Sequence, residues 1–161
     1  MFRPDLVDVW IYRDVADGPE ILLLRRVPGR VLPGLWQGVS GSLEGHERVV
    51  DGALRELREE TAFEPPVVEA FFDLDLVNQF HFAAVDAVMT AAVFAARVRG
   101  GVEPVLSHEH DATRWLPLDV AMAEVNGPAD RAALRRIGEN LLDPARARWF
   151  ELAPDGLNVI R

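Results

Sequence analysis

The chain of 161 residues contains no cysteine and no lysine. Without cysteine, disulfide bonds, cysteine-ligated zinc and thiol nucleophiles are excluded. Without lysine, catalysis through a side-chain amine is excluded too, and all seventeen basic residues are arginine. Zinc would have to rely on four histidines. The remaining chemistry must come mainly from carboxylates, arginines and bound ions.

Long apolar segments are also missing. The longest apolar stretch, 87–96, is interrupted by Thr90, and a membrane-spanning helix needs about 20 apolar residues. The N-terminal residues 1–5 reach charged side chains at once and lack the apolar core of a signal peptide. We therefore expect a soluble, cytoplasmic protein with no membrane partner.

Positive charge is in short supply, because the net charge is -9. Nucleic acids and anionic membranes need an excess of basic residues, so neither is expected as a partner. A small phosphate-rich substrate is still compatible with an acidic protein, because carboxylates hold Mg²⁺ and the ion contacts the phosphates.

The apolar pattern predicts a mixed sheet flanked by helices in one domain spanning 1–161, the α+β class. Segments rich in aliphatic and aromatic residues predict strands at 6–12, 21–24, 35–43, 67–82, 85–98 and 113–116. Helical spacing predicts helices at 47–61, 119–125 and 128–141. Strands precede and follow the first helix without regular alternation, which argues against a doubly wound parallel fold.

Helix 47–61 carries an unusual set of charges. At about 100° per residue, Glu56 and Glu60 stack one turn apart with Glu59 beside them, largely opposite the apolar face. Their mutual repulsion would be relieved by a divalent cation, and Arg55 could orient a neighbouring carboxylate. Gly41 would allow close approach to its backbone. Taken alone, such a run is more often the solvated face of a helix.

The full spacing resembles the Nudix box. Gly41, Glu47 and the run from Arg55 to Phe63 match eight of its nine specified positions, and Ala62 stands where the family usually has glycine. The resemblance spans roughly 5–142 and implies an α/β/α sandwich, whereas 145–161 has no counterpart in it. Because the family glycine follows the metal-binding carboxylates, Ala62 is expected to affect how the chain leaves the helix.

The resemblance implies hydrolysis of a nucleoside diphosphate linked to another group. By position, Glu56, Glu59 and Glu60 would bind Mg²⁺, or alternatively Mn²⁺, with the Gly41 carbonyl as a further ligand. Glu56 and Arg55 are expected in the catalytic machinery. Glu47 is expected to brace Arg55 and not to touch metal.

The segment 107–111 resembles a loop from which family members supply a further glutamate. Glu109 is the candidate, either as a metal ligand or as the base that takes a proton from water. The alternative is a polar surface turn leading into a strand. His108 and His110 form a His-x-His pair, a weak signal for a metal site without a third histidine nearby.

The substrate residues are predicted upstream of the box. Trp36 and Gln37 resemble the dihydroneopterin triphosphate and nucleoside triphosphate pyrophosphohydrolase branch, although a tryptophan at a strand start is more often core packing. Arg25 and Arg26, with Arg30 nearby, could meet phosphates.

The predicted substrate is a nucleoside or pterin triphosphate that yields a monophosphate and pyrophosphate. ADP-ribose or nucleotide-sugar hydrolysis, and a catalytically silent nucleotide-sensing domain, are the alternatives. A homodimer is compatible with the sequence.

Overall fold

The computed structural model describes residues 3–160. Expectations that concern Met1, Phe2 and Arg161 lie outside the described residues. Eight strands form one sheet: β1 Leu6–Val15, β2 Gly18–Arg26, β3 Trp36–Gln37, β4 Val39–Ser42, β5 Val68–Phe82, β6 Ala87–Val98, β7 His110–Pro117 and β8 Glu151–Leu152. The helices are α1 Val49–Thr61, α2 Leu118–Glu124, α3 Pro128–Arg136 and α4 Pro144–Ala147.

The sheet is mixed because β1 has neighbours of both directions. It runs parallel to β6 and antiparallel to β2 and β4. Along the main path the strand order is β3-β2-β1-β6-β5-β8, while β4 pairs with β1 and β7 pairs with β2. The predicted α+β class, a mixed sheet with helices, is confirmed.

Side-chain alternation along the central strand builds a core on each face of the sheet. Val9 and Ile11 of β1 belong to the core beneath α1, which we call the α1-side core. Trp10 and Tyr12 belong to the core beneath α2 and α3, the α3-side core. All four side chains are almost fully buried. The sheet is thus sandwiched between α1 and the α2–α3 pair.

Helix α1 is shorter at its start than predicted. It begins at Val49 because Arg48 has extended backbone angles, φ -68° and ψ 147°, so Glu47 precedes the helix. Its apolar face is as predicted, since Ala53 and Leu57 are buried in the α1-side core and Leu54 packs against it. Glu56, Glu59 and Glu60 are therefore carried on a helix that is anchored to this core.

The other boundaries differ in detail. The predicted strand 35–43 is two short strands, β3 and β4, separated by Gly38. A side chain at position 38 would meet the Val9 carbonyl oxygen at 2.9 Å, so the chain passes too close to β1 for any larger residue. The predicted helix 128–141 is α3 followed by a π-helical turn, Ile137–Leu141.

Strand β8 comes from the segment 145–161, which had no counterpart in the resemblance, and lies at one edge of the sheet. Strand β8 pairs with β5 through Phe71 and Phe72. An Arg48 guanidinium donates to the Asp155 carbonyl, which ties this segment to the start of α1. No helix within residues 3–160 is long and apolar enough to cross a membrane.

Ala62 ends α1 in a left-handed conformation, φ 60° and ψ 16°, with its N–H donating to the Arg58 carbonyl. Its place in the structure agrees with the expectation that it governs how the chain leaves the helix. A non-glycine residue in this region costs about 1–2 kcal/mol. We expect Ala62→Gly to raise the free energy of unfolding by about 1 kcal/mol in urea titration. Ala132→Gly, within α3, should instead destabilise; stabilisation by both would contradict this explanation.

Candidate active site

Gly41 and Glu56 are in direct contact where β4 passes beneath α1. A Cβ atom placed on Gly41 would lie 1.9 Å from the carboxyl carbon of Glu56 and 2.2 Å from each of its oxygens. The Glu56 carboxylate therefore occupies the space that any other residue at position 41 would need. The reason for glycine here is the side chain of Glu56, in addition to the backbone approach expected from the sequence.

Arg55 joins the glutamates that surround it. Its Nη2 donates to Glu47 Oε1 at 2.8 Å and to the Ser42 carbonyl at 2.9 Å, and its Nε donates to Glu47 Oε2 at 3.2 Å. Its Nη1 donates to Glu56 Oε1 at 2.8 Å and to Glu59 Oε2 at 3.2 Å. The hydrogen bonds from Arg55, with one from the Glu44 backbone N–H, lower the pKa of Glu47 to about 2. Glu47 thus braces Arg55, as expected, and Arg55 orients Glu56.

Glu60 is buried, with only 4% of its surface exposed. The chain segment before β7 covers it: Ser107 N–H donates to the Glu60 carbonyl at 3.3 Å, and Val105 N–H donates to the Thr61 carbonyl at 2.9 Å. Its Oε2 has no hydrogen-bond partner. Glu60 lies near Glu56, as the helical spacing predicts, but the covering segment buries Glu60 whereas Glu59 is exposed.

Burial, together with the negative charges of Glu56 and Glu109, raises the pKa of Glu60 to about 8. Burial likewise raises the pKa of Glu56, with contributions from Glu59 and Glu109. Three carboxylates, Glu56, Glu60 and Glu109, are thus near enough to repel one another at the end of α1. Glu109, from a distant part of the chain, joins the glutamates of the helix.

Glu109 is held by an arginine from the loop after β2. Arg30 Nη2 lies 3.0 Å from Glu109 Oε1 and 2.7 Å from His108 Nε2. The backbone N–H of Glu109 donates to Ser107 Oγ at 3.3 Å. Arg30 therefore lies beside Glu109, the candidate base.

His110 starts β7 and is buried directly behind Glu60. Its Nδ1 lies 3.7 Å from Glu60 Oε2, and its side chain is fully inaccessible to solvent. Burial lowers the pKa of His110, and the charge of Arg26 lowers it further. The predicted strand began only at Thr113, which left His110 in a loop. The alternation of apolar residues that predicts this strand lies after His110, so it did not indicate that His110 is buried.

The predicted substrate residues divide between two places. Arg26 pairs with His110 in the sheet register and lowers the pKa of Glu60. Arg25, the preceding residue, points to the other face, where its Nε contacts Asp111 Oδ1 at 2.7 Å. The structure brings Arg26 to the carboxylates and places Arg25 elsewhere.

Trp36 lies with Arg25 on that other face and packs against the α3-side core. The guanidinium of Arg114 lies 4.3 Å from the centre of its ring, and that of Arg25 lies 5.7 Å away. Gln37 pairs with Leu24, and its buried Nε2 has no hydrogen-bond partner. Trp36 is thus partly a core residue, and Gln37 retains an unused donor.

The donor set suits a hard divalent cation. Glu60 Oε2 is buried and unpartnered, and Glu56 and Glu109 repel it, a strain that Mg²⁺ or a similar ion would relieve. Within residues 3–160, no three His, Asp or Glu side chains already form a ligand group. Arg55 and Arg30 hold Glu56 and Glu109 in ion pairs instead. Those pairs would have to loosen for these oxygens to share one ion.

The raised pKa of Glu60 predicts how the metal-free protein responds to pH. Between its ordinary value of 4.5 and about 8, the folded state keeps a proton that the unfolded state has lost. The free energy of unfolding should therefore fall with rising pH, by at most about 1.4 kcal/mol per pH unit from this group. Urea unfolding in a chelator should show a shallower fall for Glu60→Gln than for wild type. Equal slopes would contradict the burial of a protonated Glu60.

An α/β/α sandwich that carries glutamates and a bracing arginine on one helix beneath a glycine strand defines the Nudix class of hydrolase. The NUDIX domain family model matches residues 3–137, and the chain belongs to this family. Nudix enzymes hydrolyse pyrophosphate linkages in nucleoside diphosphate derivatives and use divalent metal ions. Residues 3–137 of the chain are accordingly a domain of this hydrolase family.

Solved structures of the same fold include a NUDIX hydrolase from Listeria monocytogenes, with TM-score 0.73 and 24% identity, covering 87% of this chain and 95% of that one. The E. coli dihydroneopterin triphosphate pyrophosphohydrolase has TM-score 0.71 and 26% identity, covering 83% and 94%. A C. elegans Ap4A hydrolase has TM-score 0.70 and 22% identity, covering 84% and 96%.

A curated protein from Myxococcus xanthus described as octanoyltransferase is 34% identical over 125 residues, which are 74% of this chain. The match covers 33% of that protein, so the chain spans about a third of its length.

Proposed function

We propose that the protein is a Mg²⁺-dependent hydrolase of a nucleoside or pterin triphosphate, releasing pyrophosphate and the monophosphate. The observation that carries this proposal is the cluster of Glu56, Glu60 and Glu109 at the end of α1, with the Glu60 carboxylate buried and unpartnered. Three anions held together by a fold are stabilised most simply by a cation. Such a cation also offsets the charge of a polyphosphate.

Glu56, Glu59 and Glu60 would hold the metal ion, with the Gly41 carbonyl as a further ligand. When bound, Mg²⁺ supplies charge neutralisation for the phosphate oxygens and acidifies a coordinated water. Arg55, fixed by Glu47, keeps the Glu56 carboxylate at a defined position against Gly41. Mn²⁺ has the same preference for oxygen ligands and would substitute.

Glu109 is proposed as the base that accepts the proton of the attacking water. It belongs to the carboxylate cluster, and unlike Glu60 it keeps a third of its side chain accessible, with 30% exposed. A water approaching from solvent would therefore reach Glu109 first. In this role Glu109 must exchange its ion pair with Arg30 for the proton of water, and the freed Arg30 would then face the phosphates of the substrate.

A triphosphate substrate is supported by the positive charges on the carboxylate side. Arg26 and Arg30 lie beside the cluster, where they would contact phosphate oxygens. Gln37 has a buried amide donor without a partner, which suits recognition of a ring oxygen or nitrogen. The likeness to the E. coli pyrophosphohydrolase supports the same choice.

The test is a product analysis across substrates with and without Mg²⁺. The panel contains dihydroneopterin triphosphate, canonical and oxidised deoxynucleoside triphosphates, ADP-ribose, a nucleotide sugar and Ap4A. We expect Mg²⁺-dependent release of pyrophosphate from a triphosphate, with no activity in a chelator. Turnover confined to ADP-ribose or a nucleotide sugar would overturn the substrate choice. Binding of metal and nucleotide without turnover of any compound would favour a nucleotide-sensing domain.

A further inference from the structure

Two unpartnered polar side chains face each other behind the carboxylate cluster. Within residues 3–160, the buried side-chain polar atoms that lack a hydrogen-bond partner are Tyr12 Oη, Gln37 Nε2, Glu60 Oε2 and both ring nitrogens of His110. The Nδ1 of His110 lies 3.7 Å from the Oε2 of Glu60, just beyond hydrogen-bond distance. Buried donors and acceptors are costly when unpaired, at about 1–3 kcal/mol each. An apolar side chain would fill the position of His110 without that cost.

Backbone hydrogen bonds link the residues that carry the two side chains, Glu60 and His110. Ser107 N–H donates to the Glu60 carbonyl, and His110 N–H donates to the Ser107 carbonyl at 3.4 Å. His110 also pairs with Arg26 of β2 at the irregular start of β7. The ring therefore cannot move far from the carboxylate. A change of a few tenths of an ångström would bring Nδ1 to hydrogen-bond distance.

We propose that His110 is a positioning residue whose Nδ1–H donates to Glu60 and fixes its carboxylate in the orientation that binds the divalent cation. The inference rests on the proposed function, because it assumes that Glu60 is a ligand. A carboxylate that binds a metal through one oxygen is commonly held by a hydrogen bond to the other. The His110 side chain is inaccessible to solvent, so its effect passes through Glu60. Removal of such a partner typically weakens metal binding about 10-fold or more.

Two substitutions separate the Nδ1 donor from the rest of the ring. The side-chain amide nitrogen of asparagine can take the place of Nδ1, whereas that of glutamine reaches the place of Nε2. His110→Asn should therefore keep Mn²⁺ affinity within a few-fold of wild type. His110→Gln and His110→Leu should weaken it about 10-fold or more. Affinity is measured without substrate, by electron paramagnetic resonance of free Mn²⁺ and by calorimetry.

The matched control is His81→Asn, since His81 is exposed near the tip of the β5–β6 hairpin and contacts Asp86. Its Mn²⁺ affinity should equal that of wild type. Thermal unfolding in a chelator checks each variant, and if His110→Leu does not fold, the asparagine and glutamine variants carry the test. Equal Mn²⁺ affinity in all folded His110 variants would overturn the role of His110 and leave the hydrolase proposal intact. Absence of Mn²⁺ binding by the wild-type protein, with Mg²⁺-independent turnover, would overturn both.

Discussion

Replacing Glu60 by glutamine should lower kcat for Mg²⁺-dependent hydrolysis on the order of 10³-fold, which corresponds to several kcal/mol of transition-state stabilisation. The amide fills the same volume and removes the negative charge that a cation requires. Because the Glu60 carboxylate is buried, solvent cannot replace it as a ligand. Rates are measured at saturating substrate over a Mg²⁺ titration, so that weaker metal binding is separated from slower chemistry.

The same variant distinguishes loss of chemistry from loss of structure. Glu60→Gln removes a buried ionisable group and should be at least as stable as wild type near pH 8 in a chelator, given a pKa of about 8 for Glu60. Asp51→Asn is the matched control, because Asp51 is an exposed carboxylate in the first turn of the same helix. It should keep wild-type kcat. Metal-dependent activity that survives in a folded Glu60→Gln protein would refute the assignment of Glu60.

The sequence was sufficient to predict the helix and its apolar face from helical spacing. The brace on Arg55 was predicted from the family resemblance. Leu57 lies on the buried side because of helical periodicity. Glu47 lies just before the start of α1, about two helical turns from Arg55, and its carboxylate contacts the Arg55 guanidinium. The mixed sheet also follows from the order of strands and helices, without knowledge of the pairing.

The burial of Glu60 could not be predicted from the same periodicity. A helical projection gives the direction of a side chain around the helix axis, and it does not show what packs there. The cover comes from Val105 and Ser107, more than forty residues away in sequence, whose backbone N–H groups bind the last carbonyls of α1. The position of His110 depends on the same cover and on an irregular strand start. Contacts of this kind are set by tertiary structure.

The separation of Arg25 from Arg26 was available from the sequence in principle. Consecutive residues of a strand point to opposite faces, and β2 is regular at this point because the extra residue, Asp111, belongs to β7. The prediction that Arg25 and Arg26 both meet phosphates is inconsistent with that alternation. The positive charges identified β2 as the strand that carries the arginines. Strand geometry determines that Arg26, and not Arg25, lies near the carboxylates.

Replacing Gly41 by alanine should lower kcat/KM about 100-fold, the effect expected when a catalytic group is displaced by about 1 Å. The new methyl group would occupy the place of the Glu56 carboxyl group, 1.9 Å from its carbon. Either Glu56 rotates away, breaking its hydrogen bond with Arg55, or β4 and α1 move apart. The loss should appear in Mg²⁺ titrations as well as in rates. Gly100→Ala is the control, because its nearest neighbour, the Asp14 carbonyl oxygen, lies 3.6 Å from the added carbon.

A double-mutant cycle identifies the contact responsible. If Gly41→Ala acts by displacing Glu56, its cost in stability should largely disappear when Glu56 is already alanine, because no carboxylate then competes for the space. The free energies of unfolding of the two single variants and the double variant, measured in urea, give this coupling directly. Additive costs would show that the methyl group disturbs the β4 backbone and not Glu56. In that case Gly41 would be required by the strand, and the position of the Glu56 carboxylate would need another explanation.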